Sequence, residues 1–162
     1  MEATMENQTD VSSQDDDFIT SFENCTLPPE SFHHRDHIKL SWLYLRRYEP
    51  IEALTRVSEG IKRFATFNGK AERYHETITW AFFFLIRERI ERTGTKRSWE
   101  EFISANEDLF NWEESVLKRY YNKATLTSEL ARTTFLMPDN PDSSKQSSSF
   151  SRFSMGINAA KI

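Results

Sequence analysis

All four histidines of the chain fall in two short clusters. The first is Phe32-His33-His34-Arg35-Asp36-His37, and the second is Arg73-Tyr74-His75-Glu76-Thr77. Imidazole and carboxylate groups gathered on facing helices are what a buried divalent ion requires. On a helix, residues three or four apart share a face, so His37 pairs with either His34 or His33. His75 falls on the face of Ile78, Thr79 and Phe82, which should point inward. Glu76 is turned by about 100° from it, at the edge of the same site. Two histidines from one helix, one from another and a water in the fourth position make an open catalytic centre. The expectation is one divalent ion, Zn, Fe or Mn, held by His34, His37 and His75. Glu76 then serves as a fourth ligand or as a general base. Zinc would lower the pKa of a bound water for hydrolysis, and iron would leave positions open for oxygen or substrate.

Two other readings use the same residues. Glu30-Ser-Phe-His33 and Glu72-Arg-Tyr-His75 are both E-x-x-H, the unit of dinuclear centres in four-helix bundles. Against this, Glu30 follows Pro28-Pro29 and should precede the helix, and Glu52 and Glu59 fall outside the apolar stripe of theirs. The second reading is structural: a histidine on an apolar face often hydrogen-bonds a carbonyl in the core. The chain would then be a non-catalytic helical binding or scaffold module, with its acidic N-terminus as a partner-binding arm. A closed metal-sensing or storage site is a further rival.

Tyr44 lies seven residues after His37, on nearly the same face, and Tyr74 precedes His75. Both are candidates to hydrogen-bond a ligand or a metal-bound water, although buried tyrosines more often anchor packing. Arg132 falls within the apolar pattern of the last helix and could hold a substrate carboxylate or phosphate bidentately. The chain has thirteen Phe and four Trp, most of them in its central segment. They should line any pocket with apolar surface, which suits a small, partly apolar substrate.

These residues carry a resemblance. Phe32 to His37, then Trp42-Leu-Tyr-Leu-Arg-Arg47 and Tyr74-His75-Glu76-Thr77-Ile78-Thr79, resemble a group of small, uncharacterised all-helical proteins, mostly bacterial. The likeness extends to Ser115-Val-Leu-Lys-Arg-Tyr-Tyr121 and Arg132-Thr-Thr-Phe135 and covers about residues 32–138. The implied pattern, F-x-H-x-x-H plus Y-H-E-T, falls on Phe32, His34, His37, Tyr74, His75, Glu76 and Thr77. On that pattern His33 is the spare histidine. The resemblance brings no activity with it.

The elements that must position these groups are helical. The chain has 162 residues, enough for one domain of ordinary size. Periodicity and caps predict an all-α, compact single-domain bundle of five or six helices over residues 28–138. A first helix follows Ser31 and runs to Tyr48; a second starts at Pro50, carries the stripe Ile51, Leu54, Val57, Ile61 and Phe64, and stops at Asn68-Gly69. A third runs from Ala71 to Arg92, apolar nearly all round and therefore the most enclosed. Ser98-Trp-Glu-Glu101 is a capping box for a fourth. Trp112–Tyr121 and Thr125–Phe135 are read as a fifth and a sixth. Residues 1–27, with the run Asp15-Asp16-Asp17, and the Ser-rich residues 139–162 are read as disordered from composition.

Net charge is −4 with no basic run, which argues against nucleic acid as a partner. The longest apolar run, Trp80 to Ile86, is too short to span a membrane. Cys25 is the only cysteine, so no internal disulfide forms and a reducing, cytoplasmic compartment is expected. The sequons at Asn7 and Asn24 are then coincidental. Ala160-Lys161-Ile162 resembles a relaxed peroxisomal address, meaningful only in a eukaryotic host.

Overall fold

The computed structural model describes the backbone of residues 3–94 and 97–140, with side chains from residue 13 onward. Seven α-helices are found among the described residues: α1 (Ala3–Glu23), α2 (His34–Arg47), α3 (Pro50–Phe67), α4 (Glu76–Thr93), α5 (Trp99–Ala105), α6 (Lys123–Leu126) and α7 (Glu129–Thr133). No strand occurs among those residues, and the all-α bundle expected from periodicity is what forms. None of the described helices is long and apolar enough to cross a membrane.

The ends of α3 to α5 follow from local chemistry. Pro50 opens α3, where its missing N–H costs nothing. At the other end Gly69 takes φ 65°. The amide of Lys70 then bonds back to Ala65, and that of Gly69 to Thr66. This closure requires a left-handed residue and satisfies two carbonyls of the last turn. Ser98 Oγ accepts the Glu101 amide while Glu101 accepts the Ser98 amide, the reciprocal cap expected for α5.

Several expectations are corrected. The segment 1–27 is not all tail, because α1 runs through it and buries Asp15, Ile19 and Phe22 against the bundle. Its acidic residues find bases on α2: Asp15 pairs with Lys39 and Asp16 with Arg47, each at 2.7 Å. The first predicted helix starts later than Ser31, with His33 at the cap position and its amide bonded to Asp36. The predicted helix Ala71–Arg92 is divided: Ala71–Arg73 is a separate 3-10 turn and α4 begins at Glu76. Trp112–Tyr121 is not an α-helix but holds a single 3-10 turn, Val116–Arg119. There the Asn111 and Ser115 side chains take the Glu114 and Leu117 amides, competing with helical bonds. Thr125–Phe135 breaks in two because Ser128 caps α7 by accepting the Ala131 amide. The Ser-rich segment and Ala160-Lys161-Ile162 lie outside the described residues. Asp139 and Asn140, placed in that tail from composition, instead bond to the Tyr120 carbonyl.

The core is one cluster. α2 packs on α3 and α4, α1 on α3, and α5 and α7 on α4. Enclosure is shared by two helices: α2 is buried continuously from Leu40 to Tyr44, and α4 at Ala81–Phe83 and again at Leu85 and Ile86. At one end of the core Phe22, Phe32 and Phe64 form a triangle with ring centroids 5.1–5.5 Å apart. Gly60 lets α1 come this close, since a Cβ there would stand 2.7 Å from Phe22 Cε1. Phe22 is fully buried and clamped, so its ring has nowhere to turn.

Gly60→Ala therefore tests the α1–α3 contact by sign. In an open helix the change stabilises by about 1 kcal/mol. Against Phe22 it should instead destabilise by about 1–3 kcal/mol, as overpacking does, and Phe22→Leu in the same chain should recover part of the loss. Chemical denaturation of the three variants checks it; a gain in stability for the single variant would mean that α1 does not pack there.

Candidate functional site

Helix α2 begins one residue after its cap, so His34 occupies the first turn and His37 the next step along the same face. His75 caps α4 from the other side. The two helix starts approach each other, and α3 forms the wall between them. The result is a cavity of about 450 Å³ lined by all three histidines. Ile38, Val57, Ile61, Ile78 and Phe82 supply apolar surface, and Ser41, Tyr74 and Thr79 supply hydroxyls. Arg73 and Trp112 complete the lining and are both exposed, Trp112 by 55%, so they stand at the mouth. The volume is within the range of small-molecule sites.

The three imidazoles are not equivalent. His75 uses both nitrogens: Nδ1 accepts the Ile78 amide at 3.2 Å, and Nε2 lies 2.9 Å from the Leu126 carbonyl, to which it donates. A carbonyl only accepts, so these partners assign the neutral ring with its proton on Nε2. His34 Nε2 donates to the Leu109 carbonyl at 2.8 Å, which leaves Nδ1 with the lone pair. Its ring packs edge-on against Phe82 and tilted against Trp112. His37 lies against Phe32, with ring centroids 4.2 Å apart. No partner for either His37 ring nitrogen is found among the described residues.

Burial holds the His37 imidazole well below its usual value, down to about 4, with the neighbouring His34 adding to the effect. His34 is lowered for the same reason, opposed by its bond to Leu109. A charged ring in this apolar setting would forfeit hydration that nothing replaces.

The structure brings His34, His37, His75 and Tyr74 to one cavity. It does not bring Tyr44, Glu76 or Arg132 there. Tyr44 is on the expected face, but seven residues are two turns, about 10 Å along the axis. At that height α1 covers the helix, and the Tyr44 hydroxyl donates to Glu23 Oε1 at 2.8 Å. Burial and that carboxylate push its phenol above the ordinary range. Glu76 lines a second, smaller cavity with Lys62 and Arg132. There it accepts from the Tyr74 hydroxyl at 2.6 Å and pairs with Lys62 at 3.3 Å. The Tyr74 phenol is raised by burial and by the same carboxylate. Arg132 is committed to Glu129 and the Glu72 carbonyl. Glu30 and Glu72 both belong to 3-10 turns, so neither E-x-x-H lies along one α-helix. His33 is exposed and does not line the cavity.

Y-H-E-T thus acts as a set of fastenings. Beside the ties of Tyr74, His75 and Glu76, the buried Thr77 hydroxyl donates to the Thr134 carbonyl and accepts the Leu136 amide. Together these bonds hold residues 126–136 on α4. Among the described residues, no three His, Cys, Asp or Glu side chains stand where they could hold one metal ion. Both His75 nitrogens are engaged, so binding an ion through His75 would require it to surrender either its cap or its bond to Leu126. Sequence reasoning missed Arg73 and Trp112. Arg73 was signalled by its place in the second cluster, whereas Trp112 was read as a helical residue.

The class this defines is an all-helical protein with a histidine-lined, largely apolar cavity. No family model matches the chain, and neither a curated protein nor a solved structure matches it.

The depressed His37 fixes a pH dependence. Between about pH 4 and 6.5 the unfolded chain binds a proton at this ring that the folded chain does not. Stability therefore rises with pH across that window and is lost as pH falls through it. From pH 7.5 to 5.0 this group alone should remove about 2 kcal/mol. Urea unfolding at the two pH values checks it: His37→Gln should lose about that much less than the wild type, and an equal loss would place His37 in water.

Proposed function

We propose that this chain binds a small, partly apolar molecule in the three-histidine cavity and that this cavity is its working site. One observation carries the reading: two histidine clusters far apart in sequence converge on a single cavity whose walls are otherwise mainly aliphatic and aromatic. A cavity of about 450 Å³ forgoes packing contacts that side chains would otherwise make. The His37 ring nitrogens, on the wall of that cavity, have no hydrogen-bond partner among the described residues. A ligand that fills the space and meets the imidazole would supply both.

A second reading makes the site a metal-dependent enzyme. It is favoured by His37 and His34 standing three residues apart on the same cavity wall. His34 donates its Nε2–H to a carbonyl, the support that metal-bound imidazoles usually have. In this reading His34 and His37 hold one divalent ion, with the remaining positions left to water and substrate. Zinc would supply an activated water and serve hydrolysis; iron or manganese would serve oxidative chemistry. Glu76, engaged by Tyr74 and Lys62, is outside this ligand set.

Two measurements test the readings separately. Ile78→Trp should fill the cavity and abolish binding of small apolar probes in ligand-observed NMR, with the helical circular dichroism unchanged. Equal binding by wild type and variant would send the probes elsewhere and remove the cavity as the site. Metal content of the purified chain tests the second reading. Near-stoichiometric Zn, Fe or Mn in the wild type and in His75→Asn, but not in His37→Ala, is the expected pattern. Absence of metal after anaerobic loading would leave the cavity a purely organic site.

A further inference from the structure

The cavity lining holds one fixed charge. Arg73 is the only Lys or Arg in it, and no carboxylate lines it at all. Burial lowers the pKa values of His34 and His37, and His75 Nδ1 accepts the Ile78 amide. Arg73 ends the short 3-10 turn before α4, and its side chain is exposed at the cavity mouth. Its guanidinium makes no ion pair, hydrogen bond or ring contact among the described residues. This sets it apart from nearby cations. Lys62 is held by Glu59 and Glu76, and Arg132 by Glu129 and Glu72.

We propose that Arg73 is the anion-recognising residue of the cavity and that the ligand is an organic carboxylate with an apolar body. The inference rests on the cavity being a small-molecule site. The body would lie against Ile61, Ile78 and Phe82, and the carboxylate would face the guanidinium at the mouth. A planar fork of N–H donors matches a carboxylate with two parallel bonds. Bound ligand would also shield the pair from water, which strengthens it over an open surface pair. No acid in the lining competes for the guanidinium or repels the incoming anion. Trp112, exposed beside His34, offers a flat face to the part of the ligand that leaves the cavity.

The test uses the full chain and matched probes: phenylacetate, 4-phenylbutyrate and indole-3-acetate, each beside its neutral primary amide. Affinities are measured by ligand-observed NMR and calorimetry at pH 7.5 and low salt. At least one acid should bind tenfold or more tighter than its amide, a difference of about 1.4 kcal/mol. Arg73→Gln should reduce that acid to the affinity of its amide and leave the amide unchanged. Acids and amides that bind equally to the wild type would overturn the carboxylate assignment and leave the cavity reading intact. An acid preference that survives Arg73→Gln would overturn the role of Arg73. If no acid and no amide binds, the cavity reading fails and this inference fails with it.

Discussion

One imidazole ties the start of α4 to the chain at Leu126. His75 caps α4 through Nδ1 and reaches the Leu126 carbonyl through Nε2. Both bonds need the neutral ring in a single tautomer, because a protonated Nδ1 cannot accept the Ile78 amide. The start of α4 and the docking of α6 are thus set by the same five-membered ring. Thr77, one turn-step further, continues the join with two bonds to residues 134 and 136. These ties fasten residues 126–136 to the start of α4, beside Tyr74 and Arg73.

The remaining histidines divide the work differently. His34 is oriented by a carbonyl from the turn Glu107–Leu109. His37 is oriented only by packing, against Phe32 and the triangle that Phe32 forms with Phe22 and Phe64. The close approach at Gly60 therefore matters to the cavity. It seats Phe22, which backs Phe32, which backs His37. None of the described side chains of α1 lines the cavity, yet through Phe22 the helix backs the His37 ring.

The sequence made helices α2 to α5 readable because each carries its own punctuation: Pro50, Asn68-Gly69, Gly94 and the Ser98–Glu101 box. Helix α1 was hidden by averaging. Its core residues, Phe18, Ile19 and Phe22, occupy little more than one turn of an otherwise acidic stretch, and the bases that balance its aspartates are on another helix. The stretch 112–135 failed for a local reason: Asn111, Ser115, Thr127 and Ser128 spend their side chains on nearby backbone groups. Crowding of histidines did point to the cavity. What each ring does there depends on carbonyls 75 and 51 residues away, and no spacing rule encodes those. The charge pattern around Arg73 was equally illegible, because it consists of acids that do not line the cavity.

Those long separations bear on how the chain acquires its shape. Helices α1 to α4 follow one another in residues 3–93 and contact one another directly. The bonds that finish the cavity, from His34 to Leu109, His75 to Leu126 and Thr77 to Thr134, span 51 to 75 residues. Closing such loops is entropically slow compared with forming helices. During synthesis the first four helices emerge before their carbonyl partners do. The histidine face of α2 and α4 is therefore completed last, by the C-terminal third of the fold.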